Sequence, residues 1–187
     1  MGERTLCVNP EQLHNHSLQV GLTARKIAAD IGAARDVADR AMLAGMMHDI
    51  GKLVFAACMP DEYGSIFTEA GMRSSTLCQR EQELLGADHS RMGGYLLGIW
   101  GFADDIIEAV AFHHDPSNGF KAEANPFGVL EEQSVIHILT AVHVADALSQ
   151  EPADVAEALD KGYLERLNLM DSVAKWRQKQ EFAGAAF

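Results

Sequence analysis

A histidine and an aspartate close the most apolar helical run of the chain. The run reads Ala41-Met42-Leu43-Ala44-Gly45-Met46-Met47-His48-Asp49-Ile50-Gly51-Lys52. It is hydrophobic on nearly every side, which predicts a buried helix. An imidazole and an ionised carboxylate buried at its end are costly unless something pairs with them. A metal ion satisfies both at once. A backbone hydrogen bond together with an ion pair to Lys52 is the plainer alternative. The fold must bring partners to this dipeptide, and the remaining helices show which are on offer.

Residues 1–9 read as an N-terminal arm, and Pro10 suits a helix start. Leu13, Val20, Ala24, Ile27 and Ile31 then recur at helical spacing, with His16 on the same stripe and His14 turned away. Gly32 closes this helix. The second runs from about Asp36 to Asp49, with Val37, Ala41, Ala44 and His48 in line and Gly51 as a C-terminal cap. Two modest helices fill 61–87, separated near 71–75. Asp88 is an N-cap for a helix carrying His89, Gly93, Leu96 and Trp100 on one face. Gly93-Gly94 there predicts a close approach of two helices. The next helix begins near Ala103 and ends in His113-His114 on its buried side, stopped by Asp115-Pro116. Residues 116–130 read as a loop. The helix from about Glu131 to Ser149 has Val135, Leu139, Val142, Asp146 and Ser149 on one stripe, with an aspartate where an apolar residue belongs. Two more helices follow, with Leu164, Leu167, Leu169 and Trp176 as packing residues and 181–187 as a tail. No strand pattern and no internal repeat stand out. The reading is all-α, a single helical bundle over 10–180.

At 187 residues and 48% hydrophobic content, the chain can bury one sizeable core. No run of about 18 apolar residues predicts a membrane span, and no signal pattern opens the chain. Three cysteines without a Cys-x-x-Cys pair indicate neither a zinc ribbon nor a disulfide frame, so a cytoplasmic location is expected. A net charge of −12 argues against a DNA surface.

His16, His48-Asp49, His89, His113-His114 and Asp146 are thus ionisable residues on stripes that should be buried. Singly, each is more often a hydrogen-bonded core residue than a ligand. Together, imidazole and carboxylate suit iron, manganese, zinc or nickel, and the set is too large for one ion and about right for two.

The order His, His-Asp, Asp resembles the HD superfamily of metal-dependent phosphohydrolases. The stretches His48-Asp49-Ile50-Gly51-Lys52-Leu53-Val54, Glu81 to Gly93, Leu97-Gly98-Ile99-Trp100-Gly101, Ala109 to His114 and Val142 to Asp146 resemble HDOD signalling domains. The likeness covers roughly residues 12–150. It implies His16, His48, Asp49 and Asp146 as core metal ligands, with His89, His113 and His114 completing a second ion, as in HD-GYP proteins that hydrolyse cyclic di-GMP. Iron or manganese is then favoured over zinc or nickel. Asp49 would bridge the ions, and Lys52 would stabilise the transition state or simply form an ion pair. His143 is expected half-buried behind the ligands, and Trp100 and Phe112 in the core. Two departures stand out. The HD-GYP loop after the paired histidines is absent, which leaves cyclic di-GMP unsupported. Gln12 also stands where some relatives carry a ligating glutamate, which implies fewer or weaker ions. The resemblance implies either a phosphohydrolase or phosphodiesterase acting on a nucleotide or cyclic dinucleotide, or a non-catalytic regulatory module working with signalling proteins, such as a receiver domain.

Overall fold

A computed structural model describes residues 8–69, 74–119, 133–150 and 154–184; for 68, 69, 74, 75, 135 and 179–184 it describes the backbone alone. Among the described residues every regular element is helical. The order is α1 (Pro10–Asp30), α2 (Arg35–Met47), α3 (Ile50–Cys58), α4 (Pro60–Glu69), α5 (Ser74–Leu85), α6 (His89–Ile99), α7 (Asp104–Phe112), α8 (Pro116–Gly119), α9 (Gln133–Leu148), α10 (Val155–Ala158), α11 (Lys161–Arg166) and α12 (Met170–Gly184). The expected loop at 116–130 begins as the short α8, and its remainder lies outside the described residues.

α1 starts where Asn9 accepts hydrogen bonds from the Glu11 and Gln12 amides, supplying acceptors to donors that the first turn leaves unpaired. It packs along α2 through two glycines. A Cβ on Gly45 would lie 2.8 Å from the Gly21 Cα, so the two backbones touch with no side chain between them. That approach brings His16 of α1 within reach of His48 at the end of α2. α9 runs through the centre, buried at every residue from Ile138 to Leu148 and packed against α1, α2 and α7. Burying helix on all sides demands an apolar sequence, and Asp146 is its charged exception.

Two apolar clusters result. The larger draws on α1, α2, α6, α7, α9, α10, α11 and α12 and includes Val20, Ile27, Leu97, Val110, Phe112, Leu139 and Leu164. The smaller consists of Val8, Phe55, Ala56, Tyr63, Ile66 and Leu77, from the entry to α1 and from α3, α4 and α5. His48 and Asp49 lie in the turn between α2 and α3, at the seam of the two clusters.

Three expectations need correcting here. The helix does not run on to Asp49; it ends at Met47 and a new one starts at Ile50. Gly51 is not its C-cap but the second residue of α3, where a Cβ would lie 2.0 Å from the His89 carbonyl oxygen. α3 and α6 can meet only because that position has no side chain. Trp100 is 54% exposed, because α6 buries His89, Gly93 and Leu97 and its last turn swings outward. The crowding expected at Gly93-Gly94 is present: a Cβ on Gly94 would lie 2.7 Å from that of Ala111 in α7. By length and hydropathy, the helical stretch 35–58 is apolar enough to cross a membrane. Ala38, Ala41, Ala44, Phe55 and Ala56 of this stretch pack into the two clusters, Leu43 and Met46 are exposed, and His48-Asp49 interrupts it.

Candidate metal centre

His48, His89 and His113 are fully buried, Asp49 and Asp146 nearly so. Each buried imidazole is held by its Nδ1. His48 Nδ1 lies 2.7 Å from the Gly45 carbonyl and His113 Nδ1 lies 2.8 Å from the Val110 carbonyl, both one turn back. A carbonyl only accepts, so each Nδ1 carries the proton and each neutral ring turns a bare Nε2 inward. His89 Nδ1 does the same toward Glu81 Oε2 at 2.7 Å. This arrangement, with Nδ1 committed to an outer acceptor and Nε2 presented, is the one that orients metal-ligating histidines.

The inward atoms form two groups. In the first, His16 Nε2 lies 3.1 Å from His48 Nε2. His16 Nε2 lies 3.6 Å from Asp49 Oδ2 and 3.3 Å from Asp146 Oδ1, and His48 Nε2 lies 3.5 and 3.6 Å from the same two oxygens. Four donors at about 2.0–2.2 Å from a shared ion would stand about 3.3–3.6 Å apart in a tetrahedron, so these spacings fit one. In the second, Asp49, His89, His113 and His114 offer ligand atoms within 4.8 Å of one another. His89 Nε2 lies 3.0 Å from His114 Nε2 and 3.2 Å from Asp49 Oδ1. That last approach is not a hydrogen bond and leaves Asp49 Oδ1 buried without a partner; His113 Nε2 is likewise buried without one. Such orphaned acceptors are costly, and a cation between them removes the cost. The donor set therefore fits divalent transition metals, with Asp49 facing one group through each oxygen.

Electrostatics agree. Burial would raise the Asp49 carboxyl, but His48 and Lys52 outweigh it and hold it well below the usual range. Burial is likewise outweighed at Asp146, by His16 and His48. Burial works against a charged His48, yet Asp49 and Asp146 raise its pKa. His89 is raised well above the ordinary 6.5, with burial overcome by Cys78 and Asp49. Burial and the neighbouring imidazoles depress His113 well below it, and burial with His89 takes His114 to about 3. The carboxylates thus favour a proton on His48 and His89, and an ion taken up by their Nε2 atoms would displace it. Lys52 Nζ pairs with Asp49 Oδ2 at 2.7 Å, so the ion pair expected as its plainer role is formed.

Residues 2–116 match the HDOD domain family. The chain belongs to the HDOD family. Over 162 residues this HDOD chain is 29% identical to the ribonuclease Y of Thermotoga petrophila, covering 86% of its own length but only 23% of the ribonuclease. In fold it is similar to an HDOD domain protein from Geobacter sulfurreducens, with a TM-score of 0.61 at 21% identity over 91% of this chain and 62% of that one. It is also similar to the MmoQ response regulator of Methylococcus capsulatus, with a TM-score of 0.54 at 23% identity over 89% and 65%.

All seven expected ligand positions of the HDOD chain converge on this one centre. His16 and His114 are its solvent-side members, with side chains 30% and 20% exposed. His114 also lines a cavity of about 400 Å³, together with Cys78, Gln79, Asp88, Asp115 and Glu157. His143 is buried rather than half-buried. Its Nδ1 donates to the His113 carbonyl at 2.6 Å and its Nε2 accepts from the Asp160 amide at 2.9 Å, so it holds the chain beside a ligand. The reading of the sequence passed over Glu81. The signal was present: Glu81 shares an i, i+4, i+8 stripe with Leu77 and Leu85, the same misplaced charge that picks out Asp146.

Proposed function

We propose that this HDOD domain holds two divalent transition-metal ions and hydrolyses a phosphate ester or phosphodiester of a nucleotide or cyclic dinucleotide. The observation that carries the reading is the pair of ligand groups sharing Asp49, lined with bare imidazole nitrogens and orphaned acceptors. Manganese and iron suit this nitrogen and oxygen set. When bound, two such ions would supply a water of lowered pKa and positive charge opposite the phosphoryl oxygens.

The residues of the chain prepare the rest. Asp49 spans the two groups, and Lys52 keeps it ionised and held. Buried His48, His89 and His113 exclude solvent from one side, so phosphate would enter from the side of His16 and His114. Lys52 would add charge stabilisation to the departing oxyanion. The name of the ribonuclease Y relatives supports phosphodiester chemistry in particular. A second reading, a regulatory module for a signalling partner such as a receiver domain, draws on the likeness to MmoQ. It also draws on the carboxylates of Asp88, Asp115, Asp154 and Glu157 lining the cavity, which repel a polyanion.

Metal analysis of protein purified without chelator tests the centre; fewer than one ion per two chains would refute it. Turnover is tested with cyclic dinucleotides, nucleotide phosphates and short RNA, with manganese or iron under reducing conditions. Release no greater than that of Asp49→Ala leaves the regulatory reading standing.

A further inference from the structure

His89 differs from the other buried histidines of the centre in what holds it. His48 and His113 end their helices, so a carbonyl one turn back is available to their Nδ1. His89 is the first residue of α6 and has no preceding turn of its own helix to call on. The acceptor comes from a different helix. Glu81 of α5 reaches it with Oε2, which accepts from His89 Nδ1 at 2.7 Å and from the His89 backbone amide at 2.8 Å. Its other oxygen, Oε1, accepts from the Tyr63 hydroxyl of α4 at 2.7 Å. Glu81, His89 and Tyr63 are all fully buried. A carboxylate without solvent and, among the described residues, without a lysine or arginine contact is unusual in a core. Its contacts are spent on one ring and on the phenol that aims it.

We propose that Glu81 is the positioning residue for the second metal, the one bounded by Asp49, His89, His113 and His114, and that Tyr63 sets the angle of Glu81. Glu81 touches no ion. It fixes the proton on His89 Nδ1, turns Nε2 toward Asp49 and His114, and makes the ring a stronger donor. The first metal, bounded by His16, His48, Asp49 and Asp146, has no such dependence. The two sites are therefore separable through a residue that belongs to neither. This rests on the two-ion reading above.

The test is a manganese titration of chelator-treated, dialysed protein, with free and bound ion counted by electron paramagnetic resonance. The wild type should take two ions per chain. Glu81→Gln keeps an acceptor of nearly the same shape but drops the charge. It should weaken the second binding event about 10- to 100-fold, the range for loss of such an outer partner, and leave the first unchanged. Tyr63→Phe should move the second event in the same direction by less. In parallel, imidazole nitrogen shifts in the metal-free protein, read at a pH where the His89 ring is neutral, should report the Nδ1–H tautomer in the wild type and a mixture in Glu81→Gln. A residue with a merely structural role would lower the melting temperature without shifting the second event selectively. Two wild-type affinities and an unchanged tautomer in Glu81→Gln overturn the proposal. If Glu81→Gln does not fold, Tyr63→Phe decides on the same readings. A wild-type titration that ends at one ion or none overturns the two-ion reading itself, and the tautomer then still decides whether Glu81 positions the ring.

Discussion

Gly51→Ala is the sharpest probe of how the centre is assembled, because it alters no ligand. The added Cβ would sit 2.0 Å from the His89 carbonyl oxygen, 2.8 Å from its carbon and 2.9 Å from the Gly93 amide nitrogen. All three atoms are backbone, so no rotamer change relieves them. The first contact must open to at least 3.4 Å before it becomes ordinary. Overpacking of this kind costs about 1–3 kcal/mol, and a backbone partner puts it at the upper end. Replacing a helical glycine by alanine returns about 1 kcal/mol of propensity. A net loss of about 2 kcal/mol lowers the melting temperature by roughly 4–8 °C in a chain of this size. Gly98→Ala is the control, since it also sits in a helix but meets only Ile107 Cδ1 at 3.9 Å. It should gain about 0.5–1 kcal/mol and melt a few degrees higher. The same displacement pulls Asp49 from His89, now 3.2 Å apart, so Gly51→Ala should also lose bound metal. A Gly51→Ala protein that melts with the Gly98→Ala protein and keeps its metal would refute the reasoning.

Metal uptake should release protons and strengthen with rising pH. In metal-free protein His48 and His89 are raised above 6.5, so their stabilisation is fully present below that pH and is lost as pH rises through the raised values. Ions must displace those protons. Calorimetry in two buffers of different ionisation enthalpy should find net proton release on metal uptake, and none would contradict the assignment of charge. Tyr163→Phe removes the buried bond of 2.7 Å to Thr140 and should cost about 1–2 kcal/mol in denaturant unfolding, with metal content unchanged. Asn9→Ala removes the cap of α1 and should cost about 1 kcal/mol by the same measurement.

Helical spacing made most of the architecture legible, because a side chain's face follows from position along a helix. His16, His48, His89, His113 and Asp146 could be placed inward from their stripes alone. Where helices touch is a different quantity. Gly51 looked like a cap because glycine after an apolar run usually is one; its real constraint is a carbonyl from a helix some 40 residues on. Trp100 looked like core because periodicity does not say how far a helix remains against its neighbour. The break at His48-Asp49 was hidden for a related reason. Its apolar flanks read as one helix, although they serve two different clusters. Glu81 was visible by the same rule as Asp146, yet its partner on α6 lies across a turn that spacing does not describe.

That division carries its own consequence. α2 belongs to the larger apolar cluster and α3 to the smaller, and His48-Asp49 forms the turn between them. Beside that turn, Asp49 Oδ1 and His113 Nε2 are buried without a hydrogen-bond partner, which weakens the join. An ion there acts as a rivet: it fastens a satellite of modest size to a larger folding unit. Stripped of ions, the chain should melt in two stages, the satellite around Phe55 and Tyr63 first. Loaded, it should melt in one.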